Sequence, residues 1–96
     1  MWTLRSAEPD SALVFRLGPG AIKTVGRAAR ADFVVAAALV SRLHCRIVAS
    51  DENLDVVDLQ STNGTFVNDT RVDRAALRSG DRLRVGRVEL IVERQG

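Results

Sequence analysis

Short apolar runs broken by turn signals recur along the whole 96-residue chain, and no stretch sustains a long helical period. That rhythm restricts the fold more than any single motif does. Residues 12–17 form an apolar run closed by Gly18-Pro19-Gly20, and residues 22–25 read as a second strand. Phe33-Val34-Val35 is short and β-prone, whereas Ala36-Ala37-Ala38-Leu39-Val40 suits helix by propensity, which leaves helix as an alternative there. Cys45 and Ile47 alternate with His44 and Arg46, and residues 54–59 follow the turn-like Ser50-Asp51-Glu52-Asn53, which predicts a hairpin. Residues 65–67 and 70–72 about Asn68-Asp69 predict another. Residues 82–85 and 88–92 about Gly86-Arg87 predict a third. Strands at this spacing point to an all-β sandwich or barrel.

Composition sets the outer bounds. Ninety-six residues predict one domain, 1–96, and 46% apolar residues suffice for a core. No apolar run approaches the roughly 20 residues of a membrane helix, and Met1-Trp2-Thr3-Leu4-Arg5 lacks the long apolar stretch of a signal peptide. The expected location is the cytoplasm, or the nucleus in a eukaryote, with no membrane partner. The single cysteine, Cys45, cannot form an internal disulfide, and with one histidine it cannot complete a zinc site. Neither metal nor cofactor is expected. The net charge of +2 is small, and acidic residues are interspersed among the basic ones. Lys23 is the only lysine; every other side-chain cation is arginine, the better bidentate partner for phosphate and carboxylate.

Three polar clusters interrupt the β pattern: Gly26-Arg27, Ser41-Arg42-Leu43-His44, and Ser61-Thr62-Asn63-Gly64-Thr65. They combine guanidinium forks, small hydroxyls, a carboxamide and a glycine. This inventory of donors suits a dianionic phosphate.

Other motifs fail residue by residue. In Gly18-Pro19-Gly20-Ala21-Ile22-Lys23-Thr24, Ile22 stands where a nucleotide-binding P-loop needs glycine, and no helix pattern follows. Asn63-Gly64-Thr65 and Asn68-Asp69-Thr70 match the N-glycosylation acceptor but lack a secretory signal. Ser41 and His44 lie three residues apart, a spacing that favours opposite faces of a strand, and nothing identifies an oxyanion hole. Cys45 shares parity with Ile47 and reads as a small core residue. The chain is not expected to be an enzyme.

Taken in order, the clusters resemble the forkhead-associated domain, a phosphothreonine-recognition module. The resemblance spans nearly the whole chain and includes Phe66-Val67-Asn68 after the third cluster and Leu77-x-x-Gly80-Asp81-x-Leu83-x-x-Gly86. It implies a β-sandwich of two mostly antiparallel sheets with recognition loops at one end. It also implies a non-enzymatic adaptor that docks onto threonine-phosphorylated proteins, with a Ser/Thr kinase upstream.

Residue roles carry over with that resemblance. Arg27 corresponds to the phosphate clamp, a role its planar fork can fill with two parallel bonds; taken alone it could be a surface salt bridge. Ser41 supplies a hydroxyl, and Arg42 a neighbouring phosphate contact through its N–H, its side chain or both. Thr62 offers a hydroxyl and backbone contact, and Asn63 grips the peptide main chain, although Asn63-Gly64 could equally be a tight turn. His44, Gly64 and Asn68 are expected to support the loops. Asp69 departs from the glycine common in the family beside Asn68. Leu77, Gly80, Asp81 and Gly86 are assigned to core and turns. Leu39, two residues before Ser41, is a candidate specificity position, predicting an aliphatic ligand residue three after the phosphothreonine.

Two alternatives remain at this level: a phosphate-independent interaction or structural domain on the same scaffold, and nucleic-acid binding. Against the second stand the absence of a basic block and the scarcity of aromatics, Trp2 and three phenylalanines. Self-association through a phosphorylated Thr3 is conceivable. The sequence leaves oligomeric state open.

Overall fold

The computed structural model describes residues 1–95 and contains eleven strands. No described residue is helical. The strands are β1 (Trp2–Ser6), β2 (Val14–Leu17), β3 (Ile22–Gly26), β4 (Phe33–Val34), β5 (Cys45–Ala49), β6 (Leu54–Asp58), β7 (Thr65–Val67), β8 (Thr70–Val72), β9 (Arg74–Leu77), β10 (Arg82–Val85) and β11 (Val88–Arg94). They form a six-stranded sheet in the order β2-β1-β11-β10-β7-β8 and a five-stranded sheet in the order β4-β3-β5-β6-β9. Every pairing is antiparallel except β3 with β4. This is the all-β sandwich of two mostly antiparallel sheets.

One apolar core fills the space between the sheets, because alternate residues of each strand point inward. Leu4, Leu83, Leu90 and Val92 from the first sheet meet Val25, Ile47, Leu54 and Val56 from the second, and all are fully buried. Phe15 and Phe33 stack at 4.5 Å between ring centroids. Trp2 is buried and donates its indole N–H to the Ser50 carbonyl at 3.0 Å.

The three expected hairpins are present, whereas β1 and β9 are additions to the sequence reading. β1 lies inside its sheet between β2 and β11. β9 contains Ala75-Ala76, weak in intrinsic β-propensity, and is ordered by pairing with β6. Residues 36–40 are loop rather than helix, since the Leu39 and Val40 carbonyls accept hydrogen bonds from the Asn63 and Arg27 side chains. Thr3 lies in β1 and is only 4% exposed, so a kinase could not reach its hydroxyl in the folded protein. Among the described residues no helix is long and apolar enough to cross a membrane.

Strand direction sorts the connections. The loops at residues 7–13, 27–32, 35–44, 59–64 and 86–87 gather at one end of the sandwich. Those at 18–21, 50–53, 68–69 and 78–81 lie at the other.

Candidate functional site

The loop-rich end brings Gly26-Arg27, Ser41 and Thr62-Asn63 together from three separate connections. The chain leaves β3 pressed against the loop before β5. Arg27 N–H donates to the Ser41 carbonyl at 2.9 Å and Ala28 N–H to the Arg42 carbonyl at 3.1 Å. This approach requires glycine at position 26, because a Cβ there would lie 2.0 Å from the Arg42 carbonyl oxygen. Asp32 folds the rest of the loop back by accepting from the Thr24 N–H and hydroxyl at 2.9 and 3.1 Å.

Arg27 is exposed, and its Nε donates to the Val40 carbonyl at 3.0 Å. That bond fixes the guanidinium plane and leaves the terminal nitrogens free to donate elsewhere. Ser41 Oγ accepts the Thr62 N–H at 3.0 Å, so its own proton points away from that bond. Thr62 therefore has its main-chain donor committed within the protein, and the expected backbone contact from Thr62 reduces to its hydroxyl. Asn63 likewise spends one amide proton on the Leu39 carbonyl at 3.0 Å, which ties its loop to the one before β5. Arg27, Ala38, Leu39, Val40, Ser41, Thr62 and Asn63 line an open cleft of about 170 Å³. Arg42 is exposed but does not line it.

His44 braces the cleft from beneath. It is fully buried, its Nδ1 accepts the Ser41 N–H at 3.0 Å, and its Nε2 lies 2.8 Å from the Gly64 carbonyl. Because a main-chain N–H can only donate and a carbonyl only accept, the proton sits on Nε2. Both ring nitrogens are thus engaged by main chain from two different loops, and neither is free to activate Ser41. Gly64 itself has φ of 89°, in the region that favours glycine, and its N–H donates to Ser61 Oγ at 3.0 Å.

A second brace was not singled out in the sequence. Asp58, at the end of β6, accepts from Ser61 Oγ at 2.6 Å, Ser61 N–H at 3.2 Å and Thr65 Oγ1 at 2.7 Å. Partial burial raises its carboxyl, but the hydrogen bonds from Ser61 and Thr65 outweigh that effect and hold it below its usual range. An Asp three residues before a Ser was the available local signal. Cys45 lies on the core side, where burial first and the Asp58 charge second push its thiol up to about 12. It is a core residue, as its parity implied.

Asn68 belongs elsewhere. Its amide donates to Asp81 Oδ1 at 3.0 Å and accepts the Arg82 N–H at 2.9 Å, at the opposite end of β7 from Gly64. Its expected support of the recognition loops is corrected to support of the distal turn, because β7 carries it roughly 10 Å away. Asn68 and Asp69 both have positive φ, 49° and 69°. Asp69 thus adopts a left-handed conformation of the kind that favours glycine.

Leu39 is 40% exposed and faces a neighbouring cavity of about 380 Å³, shared with Ala37, Ala38 and Arg87. Gly86 makes that arrangement possible: with φ of 60° it sits where a Cβ would be 3.0 Å from the Leu39 carbonyl carbon. Among the described residues no group of three or more His, Cys, Asp or Glu is placed to hold a metal ion.

The geometry has counterparts in known proteins. The family model for the FHA domain matches residues 23–86. An ABC transporter ATP-binding/permease protein of Mycobacterium tuberculosis is 40% identical over 79 residues, covering 82% of this chain and 9% of the transporter. The glycogen accumulation regulator GarA of the same organism is 36% identical over 93 residues, covering 86% of this chain and 57% of GarA. The chain therefore spans under two thirds of either relative. A solved structure from work on phosphothreonine-dependent FHA domain interactions superposes with a TM-score of 0.91 at 34% identity, over 99% of this chain and 97% of that one.

Proposed function

Because the chain belongs to the forkhead-associated (FHA) domain family, we propose that it is a phosphothreonine-dependent protein-binding module that docks onto threonine-phosphorylated partners. The observation that carries this reading is the convergence of Arg27, Ser41 and Thr62 on one cleft, each with donor capacity left after its internal hydrogen bonds. A phosphothreonine brings about −1.5 to −2 charges and three acceptor oxygens. The terminal nitrogens of Arg27 take two of those oxygens in a fork, and the Ser41 and Thr62 hydroxyls supply further donors. The unengaged parts of the Asn63 carboxamide hold the peptide main chain beside the phosphate. Arg42, exposed and next to Ser41 in the chain, contributes by charge. His44 and Gly64 act indirectly, by keeping the Ser41 and Thr62 loops in register.

Specificity for the ligand residue three after the phosphothreonine falls to Leu39 and the adjoining apolar cavity, which favours an aliphatic side chain. A phosphothreonine library that selects aspartate at that position would reject this assignment. The module is non-catalytic, acts downstream of a Ser/Thr kinase, and works in the cytoplasm. Nucleic-acid binding is disfavoured by the aromatics: Trp2 is buried, Phe15 and Phe33 stack on one another, and Arg84 covers Phe66 at 4.1 Å from its ring centroid.

The test is titration of phosphothreonine, phosphoserine and unphosphorylated versions of one peptide against the wild-type protein and Arg27→Ala. Wild type is expected to retain only the phosphothreonine form, and Arg27→Ala to stay folded but lose about 2–5 kcal/mol of binding. Equal affinity for phosphorylated and plain peptide would instead favour a phosphate-independent interaction domain.

A further inference from the structure

The outer face of the six-stranded sheet carries an arginine-rich row that begins at the cleft. Cross-strand register places Arg71 of β8 opposite Phe66 of β7, and Phe66 opposite Arg84 of β10. Their chain neighbours Thr65, Val67, Val72, Leu83 and Val85 point into or pack against the core, so these three side chains share the outward face. At the cleft end, the Arg71 Nε lies 2.8 Å from where a Cβ on Gly64 would sit, which lays the guanidinium over the glycine next to Asn63. The Arg84 guanidinium stacks on Phe66.

The same face holds two acids among the described residues, each paired with an arginine: Glu93 with Arg5, and Glu89 with Arg82. Arg71 and Arg84 form no salt bridge among the described residues, although the register sets Glu89 of β11 directly opposite Arg84, on the far side from Phe66. Two guanidinium groups outside any salt bridge among the described residues therefore lie on either side of a phenyl ring, next to the end of the proposed recognition cleft.

We propose that Arg71, Phe66 and Arg84 form a docking surface for an acidic segment flanking the phosphothreonine of the same partner protein. The proposal rests on the phosphothreonine reading above. Charge complementarity defines the occupant, and continuity with the cleft through Gly64 requires it to be the same chain that enters the cleft. From β8 to β10 is two strand spacings, about 10 Å, which an extended peptide covers in about three residues. Acidic side chains about three to six residues from the phosphothreonine, on one flank of it, fall within reach. The stacked Phe66 ring keeps Arg84 extended along the sheet, which lowers the entropy lost when a carboxylate binds.

Three phosphothreonine peptides test this: one with neutral flanks, one with three glutamates on the N-terminal side at that spacing, and one with them on the C-terminal side. At low salt, one acidic peptide should bind about three- to tenfold more tightly than the neutral one, a gain that shrinks as salt rises. The gain should disappear in Arg71→Gln/Arg84→Gln, and in part in Arg84→Gln, which leaves the cover over Gly64 intact. Neutral-peptide affinity should not change in Arg84→Gln, which stays folded. No gain from either flank, or a gain that survives in the double variant, overturns the proposal. Failure of even the neutral phosphopeptide to bind overturns the phosphothreonine reading as well, and is distinct from binding without an acidic gain.

Discussion

Glycines at the two ends of the sandwich differ in what surrounds them. At the recognition end, Gly26, Gly64 and Gly86 sit where a Cβ would fall within about 3 Å of the Arg42 carbonyl, the Arg71 side chain and the Leu39 carbonyl, respectively. At the far end, a Cβ on Gly18, Gly20 or Gly80 would meet nothing within 4 Å. There, Gly20 and Gly80 serve the turn by their positive φ, and Gly18 has neither constraint. The difference shows what the recognition end demands: connections from three strand pairs approach until main chain touches main chain. His44 then ties two of them together through hydrogen bonds, and Asp58 braces the β6–β7 connection from within. The far-end turns mostly close on themselves or on a neighbouring strand, as Gly80 N–H does on the Val92 carbonyl at 2.7 Å.

The sharpest way to break this contrast is Gly26→Ala. A methyl group 2.0 Å from the Arg42 carbonyl oxygen must push the two loops apart. The expected cost is roughly 3 kcal/mol or more of stability with loss of phosphopeptide binding, read by denaturant titration and peptide titration on the same sample. Near-normal binding in that variant would show that the loops do not need their close packing.

Asp58→Asn should cost less, about 1–3 kcal/mol, since it weakens three hydrogen bonds to a charged acceptor. The sign of its pH dependence follows from the lowered carboxyl. Its contribution to stability is complete above the unfolded-state value of about 3.9 and is lost as pH falls through the still lower folded value. Wild type should lose stability in that acid window, and Asp58→Asn should show a flatter acid limb in thermal melts. Identical acid limbs would remove Asp58 from the account of loop bracing.

Gly80→Ala should cost about 1–2 kcal/mol from its φ of 95° alone, with peptide affinity unchanged. Gly18→Ala, with neither a positive φ nor a nearby atom, should fall between no change and a gain of about 0.4–1 kcal/mol. Weakened phosphopeptide binding in either far-end variant would show that the two ends are coupled through the sheets.

Much of this is legible in the sequence. The alternation at Cys45 and Ile47 and the turn residues at 50–53, 68–69 and 86–87 identified three hairpins, since period-two burial and turn chemistry are local properties. Arg27, Ser41, Thr62 and Asn63 could be picked out because donor-rich residues interrupt apolar runs. Other features were not legible, each for a reason that is not local. β9 escaped notice because Ala75 and Ala76 become strand only against β6. Residues 36–40 kept their helical alternative until two distant side chains were seen to take the Leu39 and Val40 carbonyls. For Asn68 the family resemblance implies support of the recognition loops, whereas three residues of extended strand carry it to the other end.

By itself, the amino-acid sequence determined that this chain forms short strands and turns, that its core is apolar, and which side chains could meet a phosphate. Those are properties of residue type and spacing. Only the tertiary structure decided which donors remain available. It committed the Thr62 N–H to Ser41, one Asn63 proton to Leu39 and both His44 nitrogens to main chain, and it left the ends of Arg27 and the small hydroxyls toward the cleft. A hydrogen-bonding group can be counted from sequence. Whether it is already spent depends on groups brought beside it from 20 or more residues away, as Gly64 is to His44.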